Sequence, residues 1–422
     1  MKRRHLLGVG AAAGLLGLWG LRPADRGSPY NDYFAALNRL LRQEGGGVAQ
    51  LVIDLDRLDA NADLLRRRLE GRLSLRLVTK SLASLGLLDY LGRRLGLQRF
   101  MVFQAAHLPA LARAFPAGDL LLGKPLPVAA ALGFYQQWPA DLPFEPATQL
   151  TWLVDSVERL RQYADLARAL GRRLQVALEI DVGLGRGGFA SPETLGAALQ
   201  AWRQDAPPLR LRGLMGYDAQ VSEAPVWVGQ ADAHAASTAR YRAFADVLSL
   251  FADLRPPQPL FNGGGSLTYP LHAAGGSPLN EVAVGSALLK PRAFDSEALA
   301  AHQPALWIAS PVLTLRDGHE PFLESLQPVW QAWDPNRQRA LYLDGGRWDA
   351  EPVAPAGLQR DALPTRSIDR ERLLGSATTA LEVEDWVFLR PERSEGSLGE
   401  VGELRLLRRG RLVGRWQPLG NA

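Results

Sequence analysis

Four short stretches place reactive or anion-holding residues at successive stations along the chain. LRLVTKSLAS (75–84) ends an apolar run at Lys80, set between Thr79 and Ser81. EIDVGLGRGGF (179–189) carries Asp181 and Arg186 in a glycine-rich loop, and GYDAQ (216–220) presents Tyr217. NGGGSLTY (262–269) sets Gly264 and Gly265 just before Ser266 and Thr268. An amine can hold a carbonyl compound covalently. Consecutive glycines let backbone amides close on an anion. Singly, each stretch has an ordinary explanation: a surface lysine, a turn, a salt-bridging arginine, a packed ring. In this order they suit pyridoxal phosphate, which needs an amine for its Schiff base, a cradle for its phosphate and polar groups around its ring.

Those stations require a frame. From about residue 48, strand-like apolar runs alternate with helical periodicity. VAQLVIDL, LSLRLVT, RFMVFQA, DLLLG, LTWLVDS, LQVALEIDVG, LRLRGLMGY and QPLFNGGGS read as strands. DRLDANADLLRRRLE, VERLRQYADLARALG and ADAHAASTARYRAFADVLSLF read as helices between them. Repeated βα units with short apolar strands predict a parallel sheet covered by helices, and about eight units predict a TIM-like (β/α)8 barrel, with a doubly wound sheet as the competing arrangement. Ligands then sit beyond the carboxyl ends of the strands, where all four stretches fall. After NEVAVGSALLKPRAFD the texture changes to separate β segments such as LWIASPVLTL, RALYLDGG and DWVFLRP, predicting a C-terminal all-β domain. The expected division is 1–26 as export signal or membrane anchor, 27–302 as barrel and 303–422 as β domain. The first part of the barrel segment is free to pack on the β domain, and 320–340 reads as a loop or lid.

The 422 residues suffice for a large core and two domains. A formal net charge of +4 with arginines spread throughout offers no basic and aromatic array for nucleic acid. The absence of cysteine removes disulfides, thiolate nucleophiles and thiolate-bound metals. The six histidines form no HExxH and no close pair, leaving only a metal site assembled from separated histidines and acids. MKRRHLLGVGAAAGLLGLWGLRPADRG has the basic start, apolar stretch and polar end of an export signal, and Arg3-Arg4 resembles a twin-arginine signal. It implies the twin-arginine machinery and a periplasmic or exported protein, with a membrane-anchored form as the alternative.

The same motifs, joined by QLVIDLDRLDANADLLRRRL and LYLDGGRW, resemble the alanine-racemase-type (fold type III) pyridoxal-phosphate enzymes over roughly residues 48–400. The particular resemblance is to their D-threonine aldolase and D-serine dehydratase branch. It implies Lys80 as the Schiff-base lysine, Gly264, Gly265 and Thr268 at the phosphate, and Tyr217 and Arg186 beside the ring. It also implies a homodimer acting on a small amino acid.

Where that branch has a metal-binding histidine and cysteine, PERSE (391–395) holds Arg393 and Glu395, and SATTALEVE lacks the upstream histidine. The expectation is therefore an enzyme without the branch's metal ligands, with divalent metal unlikely. Arg393 then stands as a candidate for a substrate carboxylate and Glu395 as an acid or base. The reaction expected is a D-amino-acid lyase of the aldolase or dehydratase type. The alternatives are a metal-independent racemase, with Tyr217 as a second acid/base, or an exported cofactor-binding or ligand-binding protein without turnover.

Overall fold

The strand nearest the N-terminus, β1 (Gln50–Asp54), stays out of the barrel. The next eight close on themselves in chain order: β2 (Ser74–Val78), β3 (Arg99–Val102), β4 (Asp119–Leu122), β5 (Leu150–Val154), β6 (Leu174–Glu179), β7 (Leu209–Gly216), β8 (Leu260–Gly263) and β9 (Glu281–Val284). All pairs are parallel, and β2 meets β9 with Leu75 opposite Val282 to shut the ring. The computed structural model describes residues 22–139, 142–318, 327–361 and 367–420. It divides the chain into two units: one holds the chain up to Asp54 with Leu306–Arg415, the other Leu55–Ala305 with the tail from Trp416.

Local chemistry sets the barrel's helices. Ser84 and Ser156 each accept a backbone N–H at a helix start, and Gly96 and Gly171 end the same helices in left-handed conformation. Helix Leu55–Leu69 buries Leu58, Leu65 and Leu69, each contributing about 1.5–3 kcal/mol. Near the amino ends of the strands the barrel is closed by charge. The fully buried Arg76 guanidinium donates to Glu281 at 2.6 Å and to Asp119 at 3.1 Å, and Asn262 Nδ2 adds a bond to Glu281. This end reads as scaffold, leaving the carboxyl ends for chemistry.

The other unit is a nine-stranded sheet. Its continuous run is β13 (Gln359–Arg360), β14 (Arg370–Gly375), β11 (Arg339–Asp344), β10 (Leu306–Asp317), β1, β16 (Leu404–Arg408) and β17 (Arg411–Trp416). β15 (Trp386–Pro391) pairs with β10 and β12 (Ala350–Ala354). β1 runs antiparallel to β10 and parallel to β16, and Val52 packs with Phe34, Leu37 and Leu41 of helix Asp32–Glu44 against Trp307, Trp386 and Phe388. A (β/α)8 barrel and a mainly β second unit are therefore the architecture.

The segment expected as a loop or lid holds helix Gln327–Trp333, while 319–326 lies outside the described residues. Among the described residues no helix is long and apolar enough to cross a membrane. Among the described residues the expected membrane-anchored form therefore finds no spanning helix. The basic and apolar segment that suggested export, 1–21, lies outside the described residues.

Candidate active site

Lys80 lies two residues beyond β2, exposed, with its Nζ 4.7 Å from the centre of the Phe103 ring. Only four lysines occur in the chain: Lys2, Lys80, Lys124 and Lys290. Lys290 is buried and donates to the His302 carbonyl at 2.8 Å. Lys124 follows β4 as Lys80 follows β2. What distinguishes Lys80 is its neighbour: Ser81 Oγ lies 3.0 Å from Ser286 Oγ, and a Cβ on Gly285 would come within 2.8 Å of Ser81 Cβ. The end of β2 is thus pressed against the turn that follows β9.

That turn is tied to the loop after β8. The N–H of Ala287 reaches Ser266 Oγ at 3.0 Å and the N–H of Gly285 reaches it at 3.4 Å. Gly264 is left-handed, with φ of +63°, so this turn after β8 requires glycine. The N–H of Gly265 donates to Thr268 Oγ1 at 3.0 Å, and that hydroxyl donates onward to Asp218 Oδ1 at 2.8 Å. Thr268 therefore braces the loop from behind.

Three neighbouring strand ends meet in one stack. The Arg186 guanidinium lies 5.2 Å from the centre of the Tyr217 ring, and a Cβ on Gly265 would come within 2.8 Å of the same ring. Arg186 is held by an ordered loop: Asp181 Oδ1 accepts from Gly183 and Gly185, the Asp181 N–H donates to the Phe189 carbonyl, and the Phe189 N–H donates to the Glu179 carbonyl at the end of β6. Beneath it, Glu179 ends β6 almost fully buried. Burial pushes its carboxyl up to about 7, against a partial opposing pull from Arg186. The two groups are 4.0 Å apart and Arg186 is 54% exposed, so solvent screens that attraction.

Behind the glycine turn stands a second group of chemical side chains. Asp218 is buried and its Oδ2 lies 2.8 Å from His272 Nε2. The His234 and His272 rings meet edge to face with centres 4.7 Å apart. One donor atom from each of Asp218, His234 and His272 lies within 4.8 Å of the others. This candidate metal-binding group corrects two expectations, that metal-ligating residues are missing and that a divalent metal is unlikely. The spacing hid it: Asp218 and His234 stand sixteen positions apart in the connection after β7, and His272 belongs to the connection after β8.

Arg393 and Glu395 belong to the other unit. Arg393 is exposed and precedes helix Ser394–Glu400, and Glu395 lies in its first turn.

A closed parallel barrel with a lysine, a glycine turn and a stacked ring at the carboxyl strand ends has the layout that α/β-barrel enzymes use. The family model of the alanine racemase N-terminal domain matches residues 53–292, more than half of the chain. The chain belongs to that family, and is an enzyme of its pyridoxal-phosphate-dependent lyase and racemase kind.

Among solved structures, D-threo-3-hydroxyaspartate dehydratase from Delftia sp. HT23 is similar over 89% of this chain and 98% of its own, at 18% identity and TM-score 0.67. D-threonine aldolase from Filomicrobium marinum is similar over 88% and 97%, at 16% identity and TM-score 0.67. The alanine racemase of Clostridium difficile 630 is similar over 87% and 98%, at 15% identity and TM-score 0.64. At such identities the likeness shows the fold. No curated protein matches the chain.

Glu179, Asp218, His234 and His272 were not among the residues the sequence singled out. Glu179 and Asp218 lie inside two of the motifs that were, and their strand-end positions were the available signal.

Proposed function

We propose that the chain acts on a D-amino acid as a pyridoxal-phosphate-dependent lyase of the aldolase or dehydratase type. The observation that carries this reading is the pairing of Lys80, beside the Gly285–Ala287 turn, with the Arg186–Tyr217–Gly265 stack at the same end of the barrel. The residues fit the cofactor. The N–H groups of Gly285 and Ala287 gather at the Ser266 hydroxyl, a place where phosphate oxygens would join that hydroxyl as acceptors.

When bound, pyridoxal phosphate supplies an electron sink for charge developing at the substrate's Cα. Lys80 would hold the cofactor through its aldehyde carbon, and its amine, once free, would move the proton at the substrate's Cα. Gly264, Gly265 and the 285–287 turn would hold the cofactor's phosphate, with Thr268 fixing the loop through the Gly265 N–H. Tyr217 would flank its ring, and the Arg186 guanidinium, 5.2 Å from the centre of the Tyr217 ring, fixes that side chain. Glu179, with a carboxyl that titrates near neutrality, supports Arg186 and can exchange a proton at the barrel mouth. The activities for which the dehydratase and the aldolase of this fold are named favour a β-hydroxy D-amino acid as substrate. Arg393 and Glu395 remain candidates for its carboxylate and its β-substituent. A homodimer is part of the same reading.

Racemisation is the second reading, favoured by the matching alanine racemase family and by the Tyr217 hydroxyl at the strand ends. Product analysis separates the two. D-threonine or D-serine giving an aldehyde or an oxo acid supports the lyase; D-alanine giving L-alanine supports the racemase. No conversion of any of these, by protein with stoichiometric cofactor, would defeat both.

A further inference from the structure

We propose that Asp218, His234 and His272 bind one divalent transition-metal ion of the zinc type, as a structural clamp behind the glycine turn. The donor set is two imidazole nitrogens and one carboxylate oxygen, which suits zinc, cobalt or nickel, whereas calcium and magnesium ask for shells of oxygen. In a tetrahedral zinc site with bonds near 2.0–2.2 Å, neighbouring donors stand about 3.3 Å apart. Here Asp218 Oδ2 and His272 Nε2 are 2.8 Å apart and all three donor atoms fall within 4.8 Å, so closure on an ion takes side-chain adjustments of roughly an ångström or less.

The surroundings are those of a held ligand set. His272 turns its other nitrogen, Nδ1, to Ser277 Oγ at 2.8 Å, which fixes the ring, and Ser277 Oγ is itself fixed by the Leu279 N–H at 3.2 Å. Asp218 uses its second oxygen, Oδ1, to accept from Thr268. His234 keeps a buried Nδ1 with no hydrogen-bond partner among the described residues. A buried polar atom left in that state is costly unless something completes it. The site also holds a buried carboxylate against two imidazoles with no lysine or arginine salt bridge to Asp218 among the described residues, a charge balance that a dication restores.

The three ligands come from the loop after β7, helix Gln230–Ser249 and helix Tyr269–Ala273. One ion therefore ties the connection after β7, at both its loop and its helix, to the connection after β8. Its effect reaches the glycine turn by two contacts: a Cβ on Gly264 would come within 3.0 Å of His272 Cδ2, and Thr268 links Asp218 to the Gly265 N–H. The ion thus shapes the anion turn without touching substrate. The clamp stands on these residues alone and does not depend on the reaction assigned above.

The test uses untagged full-length protein, stripped with chelator and free of cofactor, titrated with Zn²⁺ by calorimetry and with Co²⁺ by its visible d–d bands. The expected result is one ion per chain at micromolar affinity or tighter, a Co²⁺ spectrum of tetrahedral intensity and a raised thermal midpoint. His234→Ala, at a half-buried position, should weaken Zn²⁺ more than 100-fold, beyond the roughly 10–100-fold expected for the outer-shell Ser277→Ala. Absence of stoichiometric binding by the wild type overturns the proposal. So does binding that His234→Ala leaves unchanged, and the Co²⁺ spectrum of the wild type decides the matter should the variant not fold.

Discussion

Replacing Glu179 by Gln separates burial from ion pairing at the barrel mouth. Burial lifts the Glu179 carboxyl from an ordinary 4.5 to about 7, and the screened Arg186 guanidinium at 4.0 Å only partly offsets it. A carboxyl whose folded-state pKa is raised binds its proton more tightly when folded. The protein then loses stability as pH rises from 4.5 towards 7, and the full cost stands above 7. That cost is at most roughly 3 kcal/mol, from the 1.36 kcal/mol that each tenfold change in proton affinity represents. Glutamine keeps the shape and removes the titration. Urea unfolding of cofactor-free wild type and Glu179→Gln, measured from pH 4.5 to 8.5, should show the variant gaining on the wild type as pH rises. A difference that stays flat, or that turns against the variant above pH 7, would refute the reasoning and make the Arg186 pair the dominant interaction.

Arg76→Met should destabilise the barrel unit by about 3–5 kcal/mol in denaturant unfolding, because Glu281 is then buried with only Asn262 as partner. Adding Glu281→Met should recover much of the loss; no recovery would mean that packing rather than charge sets the cost. Gly265→Ala should weaken cofactor binding at least tenfold in an absorbance titration, since the new Cβ would stand 2.8 Å from the Tyr217 ring. Unchanged affinity would detach the ring stack from the cofactor site.

The barrel was legible because its strands are short apolar runs between amphipathic helices, and such runs at strand spacing have few other uses. β1 reads like a barrel strand for the same reason: it is buried throughout, and burial on both faces looks alike in a barrel and in the centre of a sheet. Only its pairing with β10 and β16, which involves residues about 250 and 350 positions away, tells them apart. Helix Asp32–Glu44 carries no reactive motif and was passed over, although its buried Phe34, Leu37 and Leu41 mark it as core.

Lys80, Arg186, Tyr217 and the glycine turn stood out because each sits in a local motif. Asp218, His234 and His272 are sixteen and thirty-eight positions apart, so no window of sequence holds them together. The resemblance points for metal ligands to PERSE, whose Arg393 and Glu395 match it by position but not by chemistry. A ligand set built across βα units becomes visible only when the strands are placed side by side.

The central claim is that Lys80 is the amine that holds the cofactor. Reduction of the cofactor-loaded protein with borohydride, followed by digestion and mass spectrometry, reads this out directly. With four lysines in the chain the assignment is sharp. The account predicts a phosphopyridoxyl label on the peptide containing Lys80, and none in Lys80→Ala. A label on Lys124, the other lysine just beyond a barrel strand, or on no lysine, would contradict it.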